Sequence, residues 1–243
     1  FLAMLGAITR ATANRGLDLL ISFQKMEDDW HTRYQDSHRA DGLILLGYGD
    51  YTLYAQRLTE LVEHDTRFVR WGSVRSDGIG STVGTDNVAA GRLAGEHLLS
   101  LGRQRIAFLG QADDHYPEFA DRYRGLSEAM ADAGLTADPA LQVAALSSEG
   151  DGRAAIGALL ARGAEFDAVF AASDLIAIGA MRALAEAGRK VPDDVAVVGF
   201  DDIPAASLTN PPLTTVQQDL IAAGELLVET LAEQIEDRVS ANR

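Results

Sequence analysis

Val195-Ala196-Val197-Val198-Gly199-Phe200-Asp201-Asp202 decides how this chain folds. Five apolar residues and a glycine follow one another without polar alternation, the pattern of a parallel strand buried on both faces. Val191-Pro192-Asp193-Asp194 closes the preceding helix and turns the chain into that strand. The strand ends on two adjacent carboxylates, and in an open parallel sheet ligands bind beyond the carboxyl ends of the strands. A carboxylate there can accept hydrogen bonds from ligand hydroxyls, amines or an N–H. The competing reading has Asp201 or Asp202 only capping the turn before Ile203-Pro204. Strand position alone weighs the two evenly.

Outward from this strand, the chain alternates. Expected strands are Leu17–Phe23, Gly42–Gly47, Phe68–Trp71, Thr82–Thr85, Ile106–Gly110, Leu141–Leu146 and Ala168–Ala172. Expected helices are 2–15, 27–39, Tyr51–Val62, one capped by Asp86 and ending at Leu101-Gly102, Phe119–Ala133, Gly152–Ala161, Asp174–Ala187 and Leu220–Ile235. Strands alternating with helices of this length predict a parallel α/β fold. A change of character near residue 84 divides the run into two lobes of Rossmann-like winding. One sheet of about ten strands is the less favoured alternative.

The 243 residues suit one large domain or two ordinary ones, and 47% hydrophobic content excludes wholesale disorder. A formal net charge of −15 opposes unaided binding to nucleic acid or anionic membrane. The absence of cysteine removes disulfides, thiolate metal sites and cysteine nucleophiles. No apolar run reaches membrane-spanning length. Phe1-Leu2-Ala3-Met4-Leu5 lacks the basic start and cleavage site of a secretory signal, and reads as the interior of a longer protein.

Gly78-Ile79-Gly80 with Gly84 neither follows a strong strand nor opens a helix at the right spacing, so it reads as a plain loop. No phosphate loop or Gly-x-Ser-x-Gly elbow is present, and the five histidines lack metal-ligand spacing. His97 is expected to pack within its helix, and Asp113-Asp114-His115 to be a solvated loop. Arg122, early in the helix after the Ile106 strand, can offer a planar fork to two oxygens, or form a surface ion pair with Asp121 or Glu118. Ser173-Asp174 stands where a strand meets a helix, so one of the two caps it and either side chain can enter the crevice. Trp71 ends a strand, as lobe core or as an aromatic wall for a ligand.

Residues 191–204 and Pro211-Pro212-Leu213-Thr214-Thr215-Val216-Gln217-Gln218-Asp219 closely resemble hallmarks of the lactose-repressor (LacI) family of bacterial transcription regulators. Asp86-Asn87-Val88-Ala89-Ala90-Gly91-Arg92, residues 102–110 and Ala171-Ala172-Ser173-Asp174 match in the same order. The resemblance covers nearly the whole chain and is strongest from residue 82 to 219.

It implies a periplasmic-binding-protein-like effector domain, with residues 1–84 plus 218–243 in one lobe, 85–217 in the other, and a ligand cleft between them. Residues matching Asp201, Arg122 and Ser173 would contact the effector from the second lobe; the family commonly has asparagine where this chain has Ser173. Those matching Phe1 and Trp71 would add aromatic contacts from the first. The helix-turn-helix headpiece, the hinge helix and the first strand of the first lobe would precede residue 1, and a final strand would follow residue 243. The implied partners are a small polar effector, most often a sugar, a second copy of the chain, and operator DNA through the headpiece alone. No cofactor, metal, membrane or enzymatic activity is implied, and the location is cytoplasmic. A periplasmic sugar-binding protein of an uptake system shares the fold and is the nearest alternative; a sugar- or nucleotide-processing enzyme is a second. Asp201→Ala and Arg122→Ala are expected to lose ligand affinity while keeping near-normal melting temperatures.

Overall fold

The computed structural model describes residues 2–23, 39–47, 49–74 and 79–241. The chain separates into two compact units, Phe1–Thr85 with Asp219–Arg243, and Asp86–Gln218. Two separate sheets, of three and five strands, replace the single large sheet held open above.

The Asp86–Gln218 unit holds α3 (Asn87–Ser100), β4 (Ile106–Leu109), α4 (Pro117–Asp132), β5 (Gln142–Val143), α5 (Glu149–Ala161), β6 (Ala168–Ala171), α6 (Asp174–Glu186), β7 (Ala196–Asp201) and β8 (Thr214–Gln217). Its sheet is parallel throughout, in the order β5-β4-β6-β7-β8. That is a doubly wound order, whose winding reverses between the first and third strands, here β4 and β6. The continuous apolar runs predicted for these strands follow from helices covering both faces. β4 and β6 are buried at every position, and β7 at every position before Asp201.

Sequence sets the helix ends. Asp86 accepts from Ala89 N at 2.9 Å and starts α3, and Ser148 accepts from Asp151 N at 3.0 Å and starts α5. α3 and α4 pack backbone to backbone. A Cβ on Gly91 would lie 2.1 Å from Arg122 O, and one on Gly125 would lie 2.0 Å from Val88 O. Only glycine permits that approach.

The other unit holds α1 (Leu2–Asn14), β1 (Leu43–Leu46), α2 (Tyr51–Glu63), β2 (Phe68–Trp71), β3 (Ser81–Val83) and α7 (Leu220–Ala241). Its parallel sheet has the order β1-β2-β3. α1 and α7 pack together on one face, where Met4, Ile8, Leu227 and Val228 meet Val69 and Val83. α2 covers the other face through Tyr54, Leu58 and Leu61 against Phe68.

Two expected strands differ. Leu17–Phe23 forms none; Leu17 N bonds Thr12 O at the end of α1, and Leu20, Ile21 and Phe23 are exposed. A cavity of about 980 Å³ lies between this segment and β1, against Val228, Leu231 and Ile235 of α7. A strand exists only with a ladder neighbour roughly 4.8 Å away, and neither this segment nor the outer edge of β1 has one among the described residues. The expected strand Leu141–Leu146 shrinks to Gln142–Val143, because it is an edge paired only with Phe108 and Leu109. The expected helix 27–39 lies, up to residue 38, outside the described residues. His97, expected to be packed, is exposed on α3.

Candidate functional site

The carboxyl end of β7 is the most constrained corner of the Asp86–Gln218 unit. Asp201 has φ 117° and Asp202 φ 52°, both positive without being glycine. A side chain at φ near 117° costs on the order of 1–3 kcal/mol, and such strain gathers at ligand sites. Two glutamines, one ending β8 and one just after it, bond the carboxylates of the corner. Gln218 Nε2 donates to Asp201 Oδ1 at 2.7 Å, and Gln217 Nε2 donates to Asp202 Oδ2 at 2.8 Å. Asp202 N donates to Thr215 Oγ1 at 3.3 Å. Asp201 Oδ2 accepts no hydrogen bond among the described residues. Burial raises the Asp201 carboxyl above the usual carboxylate range, and Arg122 and Gln218 partly offset this.

Arg122 is buried in the first half of α4, with 5% of its surface exposed. Its Nε donates to Asn87 Oδ1 at 2.9 Å, and its Nη1 donates to Ala172 O at 2.5 Å. The guanidinium lies 3.5 Å from the centroid of the Phe200 ring and 5.4 Å from that of Phe119. This is a cation–π stack in a largely desolvated place. Asp121, one of the partners considered from sequence, forms an ion pair with Arg124. Removing Arg122 would strip two bonds and a ring stack from the core, so a near-normal melting temperature for Arg122→Ala does not follow. A loss of about 3 kcal/mol is the expectation instead.

Ser173 caps α6, accepting from Ile176 N at 3.4 Å, and is 2% exposed. Asp174 turns the other way. Its Oδ1 accepts from Thr215 Oγ1 at 2.6 Å and its Oδ2 from Ile203 N at 2.8 Å, tying the β6 end to the β7 corner and to β8. Gly199 makes room for it, since a Cβ there would lie 2.3 Å from Asp174 Oδ1. Burial pushes the Asp174 carboxyl up to about 6 against those two bonds, with Asp201 and Asp202 adding repulsion.

The structure therefore brings Asp201, Arg122 and Ser173 to the carboxyl ends of β7, β4 and β6. Trp71 belongs to the other unit, half-buried and packed against the α1–α7 core. Phe1 lies outside the described residues. Among the described residues no His, Asp and Glu group could hold a metal ion, and no helix is long and apolar enough to cross a membrane.

Sequence reading missed Asn87, Phe200 and Gln218 as parts of this corner. The signals were present, since Asn87 follows the Asp86 cap, Phe200 precedes Asp201, and Gln218 ends the Pro-Pro-Leu-Thr-Thr stretch. Nothing local shows that Asn87 and Gln218 aim at the two candidate ligand groups.

Residues 96–243 match the family model described as a periplasmic binding protein-like domain. The transcriptional regulator MalR of Streptomyces coelicolor is 34% identical over 245 aligned residues, covering 97% of this chain and 70% of that protein. Among solved structures, a CelR–cellobiose complex superposes with TM-score 0.87 at 30% identity, covering 97% of this chain and 72% of that one. A regulatory protein of the LacI family from Chloroflexus aggregans gives TM-score 0.87 at 28% identity, covering 97% and 84%. The chain spans between 45% and 70% of the length of the first curated relatives it matches.

Proposed function

Because the chain belongs to the LacI family of transcriptional regulators, we propose that it is the effector-sensing part of such a regulator, and that its effector is a sugar held at the β7 corner. The observation that carries this reading is Asp201. A desolvated carboxylate on a strained backbone, with one oxygen held by Gln218 and the other without a described partner, suits a ligand hydroxyl. A sugar O–H would donate to Asp201 Oδ2, and Arg122 would donate to a neighbouring hydroxyl or ring oxygen. Trp71 and Phe1 would offer flat apolar walls to the C–H face of the sugar, and Ser173 a short polar contact.

A sugar is polar at its rim and apolar on its faces, so this division of groups suits it. The mechanism is population shift. A sugar that binds one arrangement of the two units better than another moves the equilibrium by that difference in affinity. In a homodimer this would alter the spacing of two headpieces and hence operator affinity. DNA binding would belong to the headpiece, since this chain's −15 charge repels phosphate. The relatives reported above are transcriptional regulators, which speaks against both uptake and enzymatic readings.

Thermal unfolding with cellobiose, maltose and ribose tests the reading. A sugar at 100 times its Kd adds about 2.7 kcal/mol. A melting temperature unmoved by any sugar or sugar phosphate, but raised by an amino acid or nucleoside, would replace the sugar by that class.

A further inference from the structure

We propose that Asn87 and Gln218 are positioning residues, each tying one candidate ligand-binding side chain to one of the two points where the chain passes between its units. The proposal rests on the reading of Arg122 and Asp201 as effector contacts. The units divide between Thr85 and Asp86 and again between Gln218 and Asp219. Asn87 is therefore the second residue after the first crossing, and its Oδ1 accepts from Arg122 Nε at 2.9 Å. Gln218 is the last residue before the second crossing, and its Nε2 donates to Asp201 Oδ1 at 2.7 Å. Both bonds lie within the Asp86–Gln218 unit, and each crossing carries one of them.

Neither crossing has slack beside it. Asp86 caps α3 through Ala89 N at 2.9 Å, and Asn87 is the first residue of that helix, 4% exposed. Asp219 caps α7 of the other unit through Ala222 N at 3.0 Å, directly after Gln218. The Gly91 and Gly125 contacts press the backbone of α3 against that of Arg122, so the bonded pair cannot drift apart along the helices. A ligand that recruits Arg122 or Asp201 then redistributes hydrogen bonding at a crossing, and the backbone torsions there decide how one unit is set against the other. A purely structural role for the two amides would stabilise the Asp86–Gln218 unit and leave those torsions alone.

The chain has no cysteine, so one dye can be placed on each unit through Gln56→Cys in α2 and Glu128→Cys in α4, both exposed. Single-molecule energy transfer then reads the distance distribution between units without any ligand. Asn87→Ala and Gln218→Ala should each change the ratio of its states about fivefold or more. Asp201→Gly removes the carboxylate and suits the positive φ; combined with Gln218→Ala it should add nothing beyond either change alone. Gln217→Ala, at an exposed neighbour bonded to Asp202, should leave the distribution in place.

A distribution unmoved by Asn87→Ala and Gln218→Ala, or moved as far by Gln217→Ala, overturns the proposal. Cellobiose titration of the labelled parent chain reports separately on the binding reading. A distribution that depends on Gln218 in a chain indifferent to sugars upholds the tie and removes the sugar. Sugar affinity with an invariant distribution does the reverse.

Discussion

In the Asp86–Gln218 unit, β4 and β6 are buried at every position, whereas β1 of the other unit is only half-buried throughout, although it reads Leu-Ile-Leu-Leu. β4 and β6 have neighbours on both sides; among the described residues β1 is bonded to β2 alone, and its other edge faces a cavity. The polar interior differs too. Asp174 is fully buried and holds both oxygens on donors. Arg70 on β2 is also fully buried; its Nε donates to Ile79 O at 3.4 Å, yet Nη1 and Nη2 have no hydrogen-bond partner among the described residues. Apolar sequence makes a strand eligible for the interior, and the ladder on each side decides whether it arrives there.

The largest expected effect breaks the better-packed unit. Gly125→Val places a side chain where even a Cβ would lie 2.0 Å from Val88 O, with backbone on both sides. A loss of more than about 4 kcal/mol is expected, read by urea unfolding or as failure to accumulate folded protein. Near-parental stability would show that α3 and α4 do not cross this closely.

Asp174 gives the next effect. Its folded-state pKa of about 6 lies above the ordinary 3.8, so between these values the folded chain holds a proton that the unfolded chain has released. Stability contributed by this group is therefore greatest below about pH 4 and declines as pH rises to about 6, by roughly 3 kcal/mol at most. Asp174→Asn should remove that slope and raise stability at pH 7 relative to the parent. Parallel pH profiles for the two proteins would contradict the burial cause.

In the other unit a buried charge is less well served: Arg70 Nε donates to Ile79 O at 3.4 Å, while Nη1 and Nη2 find no acceptor among the described residues. Arg70→Met keeps the length and removes the desolvated guanidinium, and a gain of about 1–3 kcal/mol is expected in calorimetry. A loss would mean that the Tyr51 ring, 5.6 Å from the guanidinium carbon, supports the charge more than the missing acceptors cost. The smallest effect is a control on helix α5. Gly157 is exposed with nothing within 4 Å of its virtual Cβ, so Gly157→Ala should add about 1 kcal/mol.

The same contrast explains what could be read from the chain. Val195–Asp202 was legible because a doubly buried strand writes its environment into every residue, and because its carboxylates stand at a strand end. Leu17–Phe23 looked equally strand-like, but a ladder is not a property of one segment. Asp201 and Arg122 were legible as chemistry. Asn87 and Gln218 were not, because their partners lie 35 and 17 residues away along the chain and no periodicity marks an amide that reaches across. Arg122 also turned out to stack on Phe200, which makes it a core group as well as a candidate ligand group.

The central claim, that Asp201 receives the effector, is tested most directly by titrating a sugar that raises the parent chain's melting temperature into the chain and into Asp201→Asn. Asparagine keeps the shape, tolerates positive φ and removes the buried charge. A hydrogen bond to a charged group is worth about 1.5–3 kcal/mol, so the affinity should fall by roughly ten- to a hundredfold. The ligand-free melting temperature should hold or rise, because burial disfavours the Asp201 carboxylate. Undiminished affinity together with a lower melting temperature would show that Asp201 serves the fold and that the effector sits elsewhere.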